Sequence, residues 1–202
     1  MQNIIYNNSI KRVGIDVESI TREQALILFK KYNQSEALLR HAYAVEGVMR
    51  HFASKFNENI DKWGVIGLLH DLDYEMYPDQ HCAKSKEILE KNNYPTEYIH
   101  AIISHGYGLC YDVEPVEFME KVLYTIDELT GLIVASALMR PSKSVSDLEA
   151  KSVKKKFKQK NFASGVNREL ILKGCEMINM ELSEVITQCI FGMRVISDSI
   201  NL

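Results

Sequence analysis

The sequence has few of the features that would place it outside the soluble globular class. Its 202 residues include only 10 glycines and 4 prolines, which excludes collagen-like and low-complexity chains. The longest clearly apolar stretch lies near residues 131–139 and is well short of the ~20 residues that a membrane-spanning helix needs. The first residues show no basic stretch followed by an apolar run, so no secretory signal is predicted. We therefore expect a cytoplasmic protein without a membrane partner.

Paired cysteines are also missing. The four cysteines lie far apart in the chain and form no Cys-x-x-Cys motif; they are Cys82, Cys110, Cys175 and Cys189. This spacing is typical neither of a disulfide framework nor of a zinc site built from thiolates. It favours reduced, unpaired thiols, as expected in a cytoplasm.

A large excess of charge of one sign is lacking, but the charge is unevenly distributed. The net charge is −3. Residues 140–160 contain eight Lys or Arg against two acidic residues, a local charge of +6, which leaves −9 for the rest of the chain. An acidic body with one basic segment argues against binding of long nucleic acid. It is compatible with a local site for a small anion.

The hydrophobic pattern predicts an all-α protein, because apolar residues recur at steps of three and four and no stretch alternates long enough for a strand. We interpret residues 1–20 as an N-terminal arm and 21–202 as a single domain, with C-terminal helices over about 166–200. The predicted helices cover about 21–32, 35–56, 63–70, 79–92, 96–105, 117–139, 167–179 and 181–200. Thr21 with Gln24 resembles a capping box, and Ser35 and Asn167 are expected to cap two further helices.

Two polar residues fall on faces that helical spacing makes apolar. His41 shares a face with Leu38 and Val45, and Asp127 shares a face with Leu123. A carboxylate that points into a core costs several kcal/mol unless it is paired or bound to a metal. The pattern therefore predicts a shared polar centre. A buried His–Asp pair without a metal is the alternative.

A third motif adds to this centre. His70 and Asp71 end the apolar run of WGVIGLLHDLDYE, where the end of a helix lets both side chains approach one ion near the backbone. Together with His41 and Asp127 they provide two imidazoles and two carboxylates. This mixed set suits Mn²⁺, Fe²⁺, Co²⁺, Ni²⁺ or Zn²⁺.

These segments resemble a known family. His41 in LLRHAYAVE, His70-Asp71 in GLLHDLDYE and Asp127 in LYTIDELTG are similar to the H…HD…D signature of the HD-domain metal-dependent phosphohydrolases. The resemblance extends over about 36–139, the motif core, and the sequence that follows resembles small bacterial HD-domain hydrolases. It implies a helical bundle that holds a divalent metal with these four side chains.

The resemblance also suggests a second metal. His81 opens HCAKSKEIL, which is similar to the segment that supplies a ligand in HD proteins with two metals, and His105 in IISHG resembles the next ligand. The alternative is that both histidines line the cleft and bind the substrate phosphate directly. One or two divalent transition-metal ions are therefore expected.

Other positions depart from a related subfamily. HD-GYP phosphodiesterases carry Gly and Lys where this chain has Asp73 and Tyr74, and a GYP motif is missing, so activity on cyclic dinucleotides is not expected. Asp73 and Glu75 could orient or deprotonate a water, or could simply belong to a turn. Asp71 and Asp73 are the predicted catalytic residues.

The basic segment is the predicted phosphate-binding surface. Arg140 and Lys143 directly follow the helix of Asp127, and Lys154 and Lys155 belong to a lysine run. We expect these four side chains to bind substrate, with Arg140 contributing most because a guanidinium can grip phosphate through two hydrogen bonds. The alternative is an ordinary solvated surface.

The sequence thus predicts a phosphohydrolase that acts on a small phosphate ester or nucleotide by attack of a metal-bound hydroxide. Two alternatives belong to other classes: a regulatory protein that binds metal and nucleotide without turnover, and a di-iron oxygenase of the same fold. The oligomeric state is not predicted.

Overall fold

The computed structural model describes residues 20–202, and this part of the chain is helical without any β-strand. The all-α prediction is confirmed. The predicted N-terminal arm, apart from Ile20, lies outside the described residues. The α-helices are α1 (Arg22–Tyr32), α2 (Glu36–Phe56), α3 (Ile60–Leu69), α4 (Ala83–Lys91), α5 (Thr96–Ile103), α6 (Phe118–Leu138), α7 (Ala150–Phe157), α8 (Arg168–Met177), α9 (Leu182–Val195) and α10 (Ser197–Ile200).

Short polar side chains define where several helices begin. Thr21 and Gln24 form the predicted capping box of α1, and Ser35 and Asn167 accept hydrogen bonds from the first turns of α2 and α8. Helix α3 begins three residues earlier than predicted, because Asn59 accepts a hydrogen bond from the Lys62 amide.

Two further predicted helices are interrupted in the structure, and one helix was missed. The helix predicted over 79–92 is divided into a 3₁₀ turn, Pro78–Gln80, and α4, because Cys82 between them has a φ of +65° that no helix accommodates. The helix predicted over 181–200 is interrupted at Ile196, between α9 and α10. Helix α7 was not predicted; it buries only Val153 and Phe157 among its lysines.

Helix α2 forms the centre of the bundle and packs against α3, α6 and α9. Close approach to α9 requires Gly192, since a Cβ there would lie 2.7 Å from the Val48 Cα. The buried carboxylate of Glu46 pairs with Arg22 and Arg50 at 2.7 and 2.9 Å and so links α1 to α2. Within residues 20–202, no helix combines the length and the hydropathy needed to cross a bilayer.

Candidate metal centre

The four side chains of the H…HD…D pattern meet between α2, α3 and α6. His41 comes from α2, His70 and Asp71 follow the last turn of α3, and Asp127 comes from α6. His41 Nε2 lies 2.9 Å from Asp127 Oδ1 and 3.1 Å from His70 Nε2. His70 Nε2 lies 3.3 Å from both Asp71 Oδ2 and Asp127 Oδ1. The ligand atoms of His41, His70 and Asp71 all lie within 4.8 Å of one another, and Asp127 Oδ1 adjoins the two imidazole nitrogens of this group.

The orientation of His70 is set by the backbone. Its Nδ1 donates to the Gly67 carbonyl oxygen at 2.9 Å, so the lone pair of the neutral ring is on Nε2, which faces the common position. Burial by itself lowers the pKa of His70, but the carboxylates of Asp71 and Asp127 outweigh it and raise this pKa well above its ordinary value. The cluster therefore favours positive charge at its centre.

The pKa values of the two carboxyl groups, Asp71 and Asp127, also show that the cluster favours charged partners. Burial by itself would raise the pKa of Asp71 and of Asp127, yet the facing His70 holds both carboxyl pKa values well below their usual range. A divalent cation binds ionised carboxylates and neutral imidazoles, so it would take the place of the proton that His70 otherwise carries. The donor set thus fits a divalent cation better than an apolar core contact.

A second pair of imidazoles lies on the other side of Asp71. His81 Nε2 and His105 Nε2 are 3.0 Å apart, and Asp71 Oδ1 lies 3.4 Å from the first and 3.6 Å from the second. The two oxygens of Asp71 therefore face two different imidazole pairs. His81, His105 and Asp71 could hold a second cation beside the first.

The second pair is also oriented by its neighbours. His81 Nδ1 donates to Asp73 Oδ1 at 2.7 Å, and His105 Nδ1 donates to the Ile102 carbonyl oxygen at 2.5 Å. Both neutral rings then carry their lone pairs on Nε2. Two lone pairs at 3.0 Å repel each other unless both nitrogens share a proton or bind the same metal ion, so this arrangement is compatible with a metal site.

Cys82 lies beside this group but does not belong to it. Its Sγ is 4.0 Å from His105 Nδ1, the ring nitrogen that already donates to Ile102. Because the two nitrogens of an imidazole point in different directions, the sulfur lies away from the Nε2 side. The Cys82 Sγ lies within 4.8 Å of a ring nitrogen of His81 and of His105, but the Nε2 side faces only nitrogen and oxygen donors, the types that borderline divalent metals bind.

A cavity of about 490 Å³ is lined by His41, Asp71 and Asp127 and by His81 and His105, while His70 is buried behind it. Its outer wall is largely apolar and is formed by Leu38, Pro78, Leu109 and Val166 together with Tyr74, Glu128, Gly131 and Gly165. Among the described residues that line it, none is Lys or Arg. On the lining that the described residues form, a bound anion would therefore meet positive charge only from histidines, and from a metal where one is bound.

The predicted phosphate-binding residues lie outside this cavity, and that prediction needs correction. Arg140 forms a two-point ion pair with Asp147, at 3.0 and 2.8 Å. Lys154 donates to Ser183 of α9 at 2.6 Å. Lys143 and Lys155 are exposed and do not line the cavity. The chain turns away after α6, because α7 packs against α9.

The structure also changes the part that Asp73 and Glu75 can play. Asp73 is fully buried, and its second oxygen accepts the Ser85 amide at 2.7 Å, so it orients His81 and does not line the cavity. Glu75 accepts the amides of Gln34 and Ser35 at 2.6 and 2.9 Å. Direct proton transfer to a water in the cavity is therefore assigned to neither residue.

Sequence reasoning missed several lining residues. Glu128 follows Asp127 directly and accepts the Asn167 amide at 3.2 Å, while Gly131 lies one helical turn beyond Asp127. Their spacing from Asp127 on α6 was a usable signal. Gly165, in the segment before α8, could not be identified from the sequence, because only packing brings it to the cavity.

Comparison with known proteins gives one match. A family model described as the HD domain matches residues 38–156, more than half of the chain, and this span contains all six histidine and aspartate side chains that face the two positions. No curated protein and no solved structure matches the chain significantly.

Proposed function

The chain belongs to the HD-domain family, and on that basis we propose that it is a metal-dependent phosphohydrolase acting on a small phosphate ester or nucleotide. The observation that carries this proposal is Asp71, whose two oxygens face the His41–His70 pair and the His81–His105 pair. A carboxylate shared between two cations suits in-line displacement at phosphorus, where both the attacking and the leaving oxygen need stabilisation.

The proposed assignment of ligands follows the geometry. His41, His70, Asp71 and Asp127 would hold one divalent cation; His81, His105 and Asp71 would hold the other. Cations bound there supply Lewis-acid chemistry, lowering the pKa of water and polarising a phosphoryl oxygen. Asp73 and the carbonyl oxygens of Gly67 and Ile102 keep the histidine lone pairs directed at these positions.

Other side chains would shape the substrate space. Leu38, Pro78 and Leu109 form apolar walls that limit the access of water. Gly131 and Gly165 leave room for the organic part of the substrate, because a Cβ at either position would meet no atom within 4 Å. The ionisable group nearest to Asp127 in sequence, Glu128, could accept a hydrogen bond from a substrate hydroxyl.

A phosphate-release screen tests the proposal. Purified protein is loaded in turn with Mn²⁺, Co²⁺, Ni²⁺, Mg²⁺ or Fe²⁺ and supplied with nucleotides and sugar phosphates. We expect inorganic phosphate from at least one pair of metal and substrate. Nucleotide binding without turnover for every metal would instead indicate a regulatory protein. Dioxygen consumption by iron-loaded protein without phosphate release would indicate an oxygenase.

The basic segment provides one prediction. Because Arg140 is paired with Asp147 and Lys154 with Ser183, we expect Arg140→Ala and Lys154→Ala to change kcat/KM by less than about twofold at physiological salt, where exposed charges are screened beyond ~8 Å. Steady-state kinetics on the best substrate of the screen checks this. A tenfold loss in either variant would show that the segment reaches the substrate.

The cavity wall provides another prediction. Gly131 lies in α6 with open space at its Cβ position, so Gly131→Val should fold and should retain its metal while it fills part of the cavity. We expect KM for a nucleotide to rise about tenfold, equivalent to ~1.4 kcal/mol, a typical cost of overpacking. KM for a small alkyl phosphate should change less. Gly131→Ala is the matched control, with a smaller effect on both substrates.

An equal loss for the large and the small substrate would contradict this assignment, because an isopropyl group added to the cavity wall should discriminate by size. Metal content measured on the same preparations separates a filled cavity from a damaged centre.

A further inference from the structure

Two cysteines are in contact beside the candidate centre, and the function proposed above assigns no role to either of them. Cys82 Sγ and Cys110 Sγ lie 3.8 Å apart although 28 positions separate them in the chain. Cys82 is fully buried, whereas Cys110 is exposed and lines the cavity. The Cys110 thiol is therefore accessible to a small oxidant, and the buried Cys82 thiol contacts it.

The local backbone brings the two sulfurs together. Gly106 packs against both of them: a Cβ at this position would be 2.7 Å from Cys82 Sγ and 2.8 Å from Cys110 Sγ. The Cys110 amide donates to the Gly106 carbonyl oxygen at 3.1 Å, which folds the turn back onto Cys82. From 3.8 Å, each sulfur needs to move only about 0.9 Å to reach a disulfide bond of ~2.05 Å.

The same backbone carries the second pair of histidines. Cys82 directly follows His81 and has a φ of +65°, a conformation that costs a non-glycine residue about 1–3 kcal/mol and is concentrated at functional sites. Cys110 ends the turn that begins at Gly106, next to His105. A bond between the sulfurs would therefore connect the two segments that present His81 and His105 to Asp71.

We propose that Cys82 and Cys110 form a reversible intramolecular disulfide when the protein meets a peroxide, and that closing this bond shifts the segments that carry His81 and His105 and so weakens metal binding beside Asp71. The thiol chemistry is independent of the activity of the protein. Its consequence for hydrolysis rests on the function proposed above.

The reaction balances with hydrogen peroxide as the oxidant. The Cys110 sulfur attacks one peroxide oxygen, the O–O bond breaks, and a sulfenic acid and one water form. The Cys82 sulfur then attacks the Cys110 sulfur, the S–S bond forms, the S–O bond breaks, and a second water leaves. The two thiols lose two electrons and two protons, and the peroxide is reduced to two waters.

The test uses the full chain loaded with Mn²⁺ or Zn²⁺ and treated with hydrogen peroxide. We expect the intact mass to fall by two hydrogens, and the thiols alkylated after denaturation to fall from four to two. Peptide mapping should join Cys82 to Cys110. Metal content should decrease on oxidation and recover after a thiol reductant and fresh metal are added.

Two variants serve as controls. Cys110→Ser replaces an exposed side chain and should keep its metal under peroxide with no disulfide. Cys175→Ser changes a buried thiol of α8 and should still form the bond. Stable oxygen adducts on Cys110, or dimers linked through Cys110, would overturn the proposal. So would a Cys82–Cys110 bond that forms without any change in metal content. None of these readouts requires a known substrate, so they stay separate from the phosphate-release screen.

Discussion

Asp127→Asn is expected to remove both metal retention and hydrolysis while the helical content stays unchanged. The carboxylate faces His41 and His70 at 2.9 and 3.3 Å, and an amide of the same shape cannot supply its negative charge. A bound metal contributes several kcal/mol of transition-state stabilisation, and each ~1.4 kcal/mol is a factor of ten in rate. We therefore expect kcat/KM to fall by about 10³-fold or more.

The measurement combines elemental analysis, circular dichroism and steady-state kinetics. Glu128→Gln is the matched control, because it changes the neighbouring carboxylate on the same helix, which accepts the Asn167 amide and contacts neither histidine pair. This control should keep its metal. An Asp127→Asn protein with full metal content and wild-type turnover would refute the assignment of the centre.

Asp73→Asn is expected to remove one metal ion of two. Asp73 is buried and accepts from His81 Nδ1 and from the Ser85 amide, both at 2.7 Å. An asparagine that keeps the second hydrogen bond must direct its NH₂ group at His81 Nδ1. His81 then accepts at Nδ1 and carries its proton on Nε2, the nitrogen that faces His105. Loss of such an orienting partner typically lowers metal affinity 10–100-fold.

The result separates one metal from two. Wild-type protein should hold two ions per chain and Asp73→Asn one, with kcat/KM lowered by at least about 10²-fold. His81→Gln should reproduce the loss by removing the imidazole itself, and the exposed Asp79→Asn in the adjacent turn is the matched control. Wild-type protein that saturates at one ion, with no change in Asp73→Asn, would exclude the second position.

Much of the helical frame follows from local signals. The first turns of α1 and α2 are capped by Thr21 and Ser35, as predicted, since capping depends on residues three positions apart. The periodicity around His41 and Asp127 predicts side chains on inner faces, and the structure brings both to one position. The metal they would hold remains a prediction.

The basic segment shows where local reasoning fails. Its positive charge predicts an anion site next to Asp127, but charge alone does not determine which way the side chains point in the folded protein. Arg140 forms an ion pair with Asp147, seven residues further along the chain. Helix α7 packs against α9, and its buried residues are Val153 and Phe157. Its position is therefore set by apolar contacts between segments that are distant in sequence.

Residue type and helical spacing settle which side chains are available, such as the imidazole of His41 and the carboxylate of Asp127 on inward faces. They do so because a helix repeats over a few residues and needs no other part of the chain. Packing alone decides three other features. The two oxygens of Asp71 face different histidine pairs, glycines line the cavity, and Cys82 contacts Cys110. Each joins segments that local rules cannot relate, since their distance depends on how whole helices lie against α2 and α6.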